Sequence, residues 1–295
     1  MNKKLEALKK EYEDTPIPKD LDKVVQKAIK PKRKKPRRPN PKWVIGLAAA
    51  VLTFMVSINT SPTFAKNLST IPVVGPIIEV LTVMEIQVDE DNYDADIKVP
   101  QVNNLEDKEL ENSLNQKYLD ESQQLYETFS KRMEDMEEKG EGHLSVDSDY
   151  EVVTDDELIF SIKQIVVETE ASSYTTVTYD TIDKQKQIML TLPILFKNDQ
   201  YIDTISENIK EQMINRMKKD PNKIYWVGNS GIEELPDDEL FDHIDVNQSF
   251  YINNDHKLVI AFDEYDVAPG YMGAVEFVIP TEKISNDLAG DKYIK

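Results

Sequence analysis

Cysteine is absent from this 295-residue sequence, and histidine occurs only three times, as His143, His243 and His256. The absence of cysteine excludes disulfides, thiol chemistry, cysteine-linked lipid anchors and cysteine-ligated zinc. The histidines form no His-Glu-x-x-His motif and show no spacing typical of zinc. The sequence also lacks a nucleophile elbow, a phosphate-binding loop and a dinucleotide fingerprint. It therefore offers no catalytic constellation, implies no cofactor and predicts that the protein is not an enzyme.

One acidic segment, residues 89–96, superficially resembles a calcium loop. It lacks the central glycine and the terminal glutamate that such a loop needs, so a hairpin turn is favoured there. The carboxylates at positions 147, 149 and 155–157 are interpreted as solvated strand and turn residues rather than as a catalytic pair.

Positive charge is scarce beyond residue 42. Residues 1–42 hold 15 Lys and Arg against 6 Asp and Glu, whereas the remainder holds 20 against 49, a formal charge of −29. This charge excludes direct nucleic-acid binding by the later part of the chain. It would speed association with a cationic partner. Solubility near an anionic polymer surface explains the same charge, and the charge alone does not decide between the two.

Long apolar runs are also scarce, with one exception at residues 43–64. These 22 residues carry no charge, which is close to the roughly 20 that a membrane-spanning helix needs. A buried helix of a soluble domain would show a polar face, and this segment has none. The basic run at residues 30–42 precedes it, and such flanks stay on the cytoplasmic side. We therefore expect a single-pass protein of the cell membrane, with residues 1–42 in the cytoplasm and the later part outside. An exported domain without cysteine fits a Gram-positive cell surface.

The end of this apolar run also has the features of a signal-peptidase site. Thr63 and Ala65 are small residues at the minus-three and minus-one positions of a cut before Lys66, and Pro62 interrupts the helix just upstream. The segment is therefore predicted to be a membrane anchor that can be cleaved.

The cytoplasmic segment carries one apolar stripe at helical spacing. A segment of roughly 40 residues cannot bury a useful core alone, so the stripe requires another protein or the membrane surface. Its residues are Leu21, Val24, Val25, Ala28 and Ile29.

Beyond the span, residues 65–83 form an apolar juxtamembrane element, for which we expect a turn and then a short helix from about Pro76. Residues 84–295 predict an α+β extracellular domain of antiparallel sheets and long helices. A hairpin around residues 89–93 comes first, then a helix over 105–138, an antiparallel meander and a second helix over 199–219. The meander strands are predicted at 143–154, 158–170, 174–182 and 187–195, and later strands near 224–227, 249–252, 257–262 and 274–279. Whether the domain divides into lobes of about 84–195 and 196–295 stays open at this point.

One loop stands out between the last two predicted strands. Residues 266–273 place Tyr271 and Met272, two large apolar side chains, beside the flexible Gly270 and Gly273. Tyrosine is a typical anchor of binding surfaces. Residues 171–174 have a similar composition. Either segment is a packed turn or a recognition loop.

Nine stretches of the chain, read together, resemble the anti-sigma-V factors of Gram-positive bacteria, the RsiV-type lysozyme receptors. One of them is Phe-Asp-Glu-Tyr-Asp-Val-Ala-Pro-Gly-Tyr-Met-Gly at 262–273. The others lie at 12–28, 71–75, 108–113, 117–126, 142–145, 171–174, 208–213 and 220–226. The chain departs from the family pattern in residues 227–247, in the membrane span and at Thr63, where the family commonly has alanine.

The resemblance implies an anti-sigma factor. The inner stripe would hold an extracytoplasmic-function (ECF) sigma factor inactive, and the outer domain would bind lysozyme. Binding would expose the site to signal peptidase, and a site-2 protease would then cut the remaining stump and release the sigma factor. The implied lysozyme contacts are Ser172, Ser173, Tyr174, Pro269, Gly270, Tyr271 and Met272. A membrane-anchored surface enzyme and an adhesin are the alternative classes.

Overall fold

A six-stranded sheet and a three-stranded sheet, each packed against one long helix, make up the computed structural model, which describes residues 78–140, 142–228 and 240–295. The predicted cytoplasmic segment, the span at 43–64, the cleavage site and most of the 65–83 element lie outside these residues. Within the described residues, no helix is long and apolar enough to cross a membrane.

The first sheet begins with the predicted hairpin. Strand β1 (Glu79–Glu90) pairs antiparallel with β2 (Tyr93–Asn103) around a two-residue turn at 91–92, so the turn interpretation of the acidic segment is confirmed. The short helix expected from Pro76 is wrong, because β1 already begins at Glu79. Its β-branched residues favour a strand, and the pairing with β2 satisfies its backbone.

Helix α1 (Lys108–Lys139) follows and packs against this sheet. Asp107 caps its start by accepting hydrogen bonds from the backbone N–H groups of Glu109 and Leu110, and Gly140 ends it in the left-handed conformation at φ 72°. Leu114, Tyr118 and Phe129 supply its buried face. Because the helix carries the chain back along the sheet, β3 (Leu144–Asp155) pairs with β2 in parallel. The sequence predicts only antiparallel pairing, so the parallel pairing of β2 with β3 is a correction.

The antiparallel meander continues through β4 (Ile159–Thr169), β5 (Ser173–Asp183) and β6 (Ile188–Leu190). Only the first part of the strand expected at 187–195 exists. Pro193 lies in the first turn of a short helix, α2 (Leu192–Leu195), because proline cannot continue the sheet ladder but suits a helix start.

The second sheet contains β7 (Phe250–Ile252), β8 (Leu258–Phe262) and β9 (Val275–Ile279), all antiparallel. Helix α3 (Gln200–Lys219) packs on it through Tyr201, Ile205, Ile209 and Met213, and a short helix, α4 (Thr281–Ile284), follows β9. The strand expected near 224–227 is not formed, and that segment is irregular.

Hydrophobic contacts continue between the two sheets. Ile159 and Leu190 of the first sheet pack into the core that α3 and the second sheet form. The buried hydroxyl of Thr154 donates a hydrogen bond to the carbonyl oxygen of Ile252 at 2.7 Å. The domain boundaries, including the division near Leu195, stay predictions.

Candidate functional site

The seven predicted lysozyme contacts lie on two loops. Ser172 lies in the β4–β5 turn, Ser173 and Tyr174 are the first two residues of β5, and residues 269–272 belong to the connection between β8 and β9. Tyr174 and Tyr271 are 38% and 65% exposed, and Tyr271 is the most exposed large hydrophobic side chain among the described residues. Both tyrosines are therefore accessible to a partner.

Helix α1 contacts the segment that leads into the β4–β5 turn through ion pairs. The two strands stay paired up to Thr169 and Ser173, and the N–H of Glu170 donates to the carbonyl oxygen of Ser172 at 3.3 Å. Arg132 of α1 contacts Glu168, and its Nη2 lies 2.6 Å from the Oε2 of Glu170. These charge-assisted contacts fix the acidic end of β4 just before the turn.

The β8–β9 connection docks on the free edge of β5. Strand β6 pairs only with residues 181–183, so no strand of the described residues pairs with the earlier part of this edge. The side chain of Asp263 accepts the N–H of Val177 at 2.6 Å, and that of Glu264 accepts the N–H of Thr175 at 2.9 Å. The N–H of Glu264 returns a bond to the carbonyl oxygen of Thr175 at 2.9 Å. These bonds bring the two predicted loops together.

Tyr265 lies between the two loops, and it is not among the contact residues predicted from the sequence. Its ring stacks on that of Tyr174, with centroids 6.4 Å apart and planes at 19°. The same ring lies against Gly270, where a Cβ atom would approach it to 2.3 Å. The only available signal was its place within the stretch 262–273, where acidic neighbours make it look like part of a solvated turn.

The exposed end of the connection is a single 3-10 turn, Gly270–Met272. The hydroxyl of Tyr271 donates a hydrogen bond to the carbonyl oxygen of Asn222 at 2.7 Å. Met272 packs against the hydrophobic core that α3 and the second sheet form. Gly273 follows with φ 62° and ψ −160°, a conformation that only glycine adopts readily. Tyr271 is thus presented on an ordered turn.

Carboxylates surround these aromatic rings. Burial raises the pKa of both Asp263 and Asp266, and the charge of Asp266 adds to the shift at Asp263, although in each case a backbone N–H bond opposes it. Burial is also the main cause that raises the pKa of the Tyr174 phenol, and the negative charges of Asp263 and Asp266 raise it further. Such a surface can bind a basic partner through aromatic contact and charge attraction.

The other chemically notable residues do not join this surface. His243 pairs with Asp203 and Asp242, and His256 lies 3.6 Å from Asp156. Within the described ranges, no group of three or more His, Asp or Glu side chains has the arrangement needed to hold a metal ion.

The remaining predicted site residues fall in the part of the chain that is not described. They are the sigma-binding stripe and the cleavage positions: Leu21, Val24, Val25, Ala28, Ile29, Thr63, Ala65 and Lys66.

Two family models match parts of the chain beyond residue 85. Residues 86–168, from β1 to β4, match the family described as Deacetylase PdaC. Residues 194–282, from α2 through β9, match the family described as Protein of unknown function (DUF3298).

Two solved structures of the DUF3298 family are similar to the chain. One, from Pseudomonas aeruginosa PAO1, is 10% identical with a TM-score of 0.51, and the match covers 75% of this chain and 98% of that one. The other, from Bacteroides fragilis NCTC 9343, is 18% identical with a TM-score of 0.49, and the match covers 72% and 94%. The Pseudomonas structure shows that the fold of sheets and helices is DUF3298-like.

One curated relative matches over its full length. The anti-sigma-V factor RsiV of Bacillus subtilis strain 168 is 48% identical to this chain over 295 residues, covering 100% of both sequences. Identity of this extent over the full length of both sequences shows a common family, and the chain belongs to the anti-sigma-V factor family.

Proposed function

We propose that the protein is a membrane-bound anti-sigma factor that acts as a receptor for lysozyme. Membership of the anti-sigma-V factor family, through full-length identity of 48%, is the observation that carries the proposal. The finer steps rest on separate features of the chain, and each feature supports one step.

The cytoplasmic step is sequestration of an ECF sigma factor. The apolar stripe of residues 21–29 follows helical spacing in a segment too short to form its own core. A sigma factor would cover this stripe and thereby be kept from RNA polymerase. The protein itself then needs no direct contact with nucleic acid.

The outer step is capture of lysozyme by the two-loop surface around Tyr174 and Tyr271. Exposed tyrosines are suited to be binding anchors, because they bury a large area at a small entropy cost. The formal charge of −29 beyond residue 42 favours encounter with a basic protein such as lysozyme.

Capture leads to release in two cuts. Binding exposes the bond between Ala65 and Lys66 to signal peptidase, and a site-2 protease then cuts the shortened anchor within the membrane. The small residues at Thr63 and Ala65, directly after the apolar run, support the first cut. The freed sigma factor then binds RNA polymerase and directs it to genes for lysozyme resistance.

A surface enzyme is the competing class, and the match of residues 86–168 to the Deacetylase PdaC family favours testing it. Purified protein incubated with peptidoglycan should release neither acetate nor soluble sugar fragments. Release of either product above that of a buffer control would favour the enzyme.

The deciding experiment adds lysozyme to cells that carry the wild-type chain or Tyr271→Ala and follows the full-length protein on a blot. Wild-type protein should be lost as a shorter fragment appears, whereas Tyr271→Ala should persist. Ile194→Ala serves as the control, because it removes an exposed large side chain (50%) from α2, outside both loops. Persistence of the wild-type protein under lysozyme would refute the receptor function.

A further inference from the structure

Tyr265 contacts both of the loops proposed to bind lysozyme, although those loops are far apart in sequence. One ring face stacks on Tyr174, which lies at the start of β5 directly after the β4–β5 turn, at 6.4 Å between centroids. Gly270, at the start of the 3-10 turn that carries Tyr271, also lies against this ring. One side chain therefore touches the base of each loop.

The fit against Gly270 leaves no room for a side chain. A Cβ atom at Gly270 would lie 2.3 Å from the Cζ and hydroxyl oxygen of Tyr265 and 2.7 Å from its Cε1. The backbone of Gly270 does not have a left-handed φ, so alanine could adopt its conformation. The Tyr265 ring is therefore the nearest obstacle to a larger residue at Gly270.

The backbone of Tyr265 has an unfavourable conformation that its neighbours maintain. Its φ is 71°, in the left-handed region that costs free energy for a large residue. Before it, Asp263 and Glu264 bond to the edge of β5. After it, the carbonyl oxygen of Val267 accepts the N–H of Trp226 at 2.8 Å. Asparagine tolerates this conformation better than tyrosine, so the backbone alone gives no reason for an aromatic ring here.

We propose that Tyr265 is a positioning residue, which fixes the β4–β5 turn relative to the Gly270–Met272 turn so that lysozyme meets both as one rigid surface. The inference rests on the proposed receptor function. A surface held in its binding arrangement pays less ordering entropy when the partner docks. Loss of the ring should therefore shorten the lifetime of the complex, although the chain still contains both contact residues, Tyr174 and Tyr271.

The first test measures lysozyme dissociation from the full chain, in detergent micelles, by surface plasmon resonance. Tyr265→Asn keeps a residue that accepts the left-handed φ but removes the ring, and it should dissociate about ten-fold faster or more. Tyr265→Phe keeps the ring and should stay within about two-fold of the wild-type rate. Thermal unfolding followed by circular dichroism should place Tyr265→Asn at or above the wild-type midpoint, because its backbone is less strained. A purely structural role would instead lower stability and binding together.

A second variant tests the same idea from the glycine side and remains informative if Tyr265→Asn does not fold. Gly270→Ala should displace the ring and accelerate dissociation to a similar extent. In the Tyr265→Asn background, Gly270→Ala should add almost nothing, because no ring remains to be displaced. Additive effects of the two changes would overturn the positioning role.

Tyr271→Ala separates this inference from the proposed function. If Tyr271→Ala dissociates faster while Tyr265→Asn and Gly270→Ala both match the wild-type rate, the receptor function stands and the positioning role is wrong. If wild-type protein fails to bind lysozyme, the receptor function itself is wrong.

Discussion

Replacing Glu276 by alanine should loosen the junction between the two sheets. Glu276 lies on β9, and its Oε1 accepts hydrogen bonds from the hydroxyl of Tyr179 at 2.6 Å and the Nζ of Lys163 at 3.1 Å. Its Oε2 accepts a third bond, from the hydroxyl of Tyr251 on β7, at 3.1 Å. The rings of Tyr179 and Tyr251 stack 4.8 Å apart. One carboxylate therefore joins two strands of the first sheet to the second.

The expected loss follows from these contacts. Three hydrogen bonds at about 1 kcal/mol each, one of them to a largely buried ammonium left without its partner, give about 3 to 4 kcal/mol for Glu276→Ala. Glu276→Gln keeps the shape and one acceptor, and should cost about 1 to 2 kcal/mol. For a domain of this size, 3 kcal/mol lowers the urea midpoint by about 1 M.

Burial alone would raise the pKa of Glu276, but the bonds from Tyr179, Lys163 and Tyr251 outweigh burial and lower it. A carboxyl with a lowered folded-state pKa contributes stability above its unfolded value of about 4.3, and that contribution is lost as the pH falls through the folded value. The gap in stability between wild type and Glu276→Gln should therefore narrow below about pH 4.

Urea unfolding of the full chain, followed by the fluorescence of Trp226 in a Trp43→Phe background, measures both effects. Trp226 is a suitable reporter because its backbone N–H donates a hydrogen bond to Val267, in the connection between β8 and β9. Val278→Thr is the matched control, since it changes an exposed residue of the same strand and should stay within about 0.5 kcal/mol of wild type. A midpoint for Glu276→Ala that equals that of the control would refute the reasoning.

Three further outcomes are expected. Asp183 is buried, and burial opposes its charge, but hydrogen bonds from Lys292 and Tyr293 lower its pKa to about 2. The ionised Asp183 therefore stabilises the fold above its unfolded pKa of about 3.9, and this stabilisation is lost as the pH falls toward 2. Asp183→Asn should therefore cost about 1 to 2 kcal/mol at pH 7, roughly half of that at pH 3 and little at pH 2, as urea midpoints would show. Lys117→Met removes both short hydrogen bonds to the buried carboxylate of Asp180, at 2.7 and 2.8 Å, and should cost about 2 to 3 kcal/mol of folding stability. The double variant with Asp180→Asn should cost less than the sum of the two single changes, as urea midpoints would show. Raising ionic strength should slow lysozyme association while leaving its dissociation nearly unchanged in plasmon-resonance traces, and an equal effect on both rates would contradict charge steering.

Local patterns predicted most elements because each has a short-range cause. Apolar residues at helical spacing located α1 and α3, and alternation located the meander and the last three strands, within a few residues of their observed bounds. The errors at Pro76 and at 187–195 arose where an apolar run suited both helix and strand, and tertiary pairing decided. The parallel pairing of β2 with β3 joins residues about 50 apart, which no local window reveals.

The candidate site was accessible to sequence reasoning only in part. Composition and family resemblance pointed to residues 171–174 and 266–273, but nothing local linked the two. The stacking of Tyr174 on Tyr265 depends on the docking of the β8–β9 connection, which is a tertiary contact. The stripe at 21–29, the span and the cut at Ala65 stay predictions.

The acidic residues beside Tyr265 have two physical roles, which have to be separated in any charge experiment. Asp263 and Glu264 accept the N–H groups of Val177 and Thr175, so they cover the part of the β5 edge with which no described strand pairs. An exposed edge of this kind invites pairing with another chain, and side-chain acceptors block it. Neutralising either residue would therefore disturb the docking of the β8–β9 connection on β5 as well as the negative electrostatic field around the two loops. A slower association in such a variant would not measure steering alone, whereas exposed acids distant from β5 would report the field without moving the tyrosines.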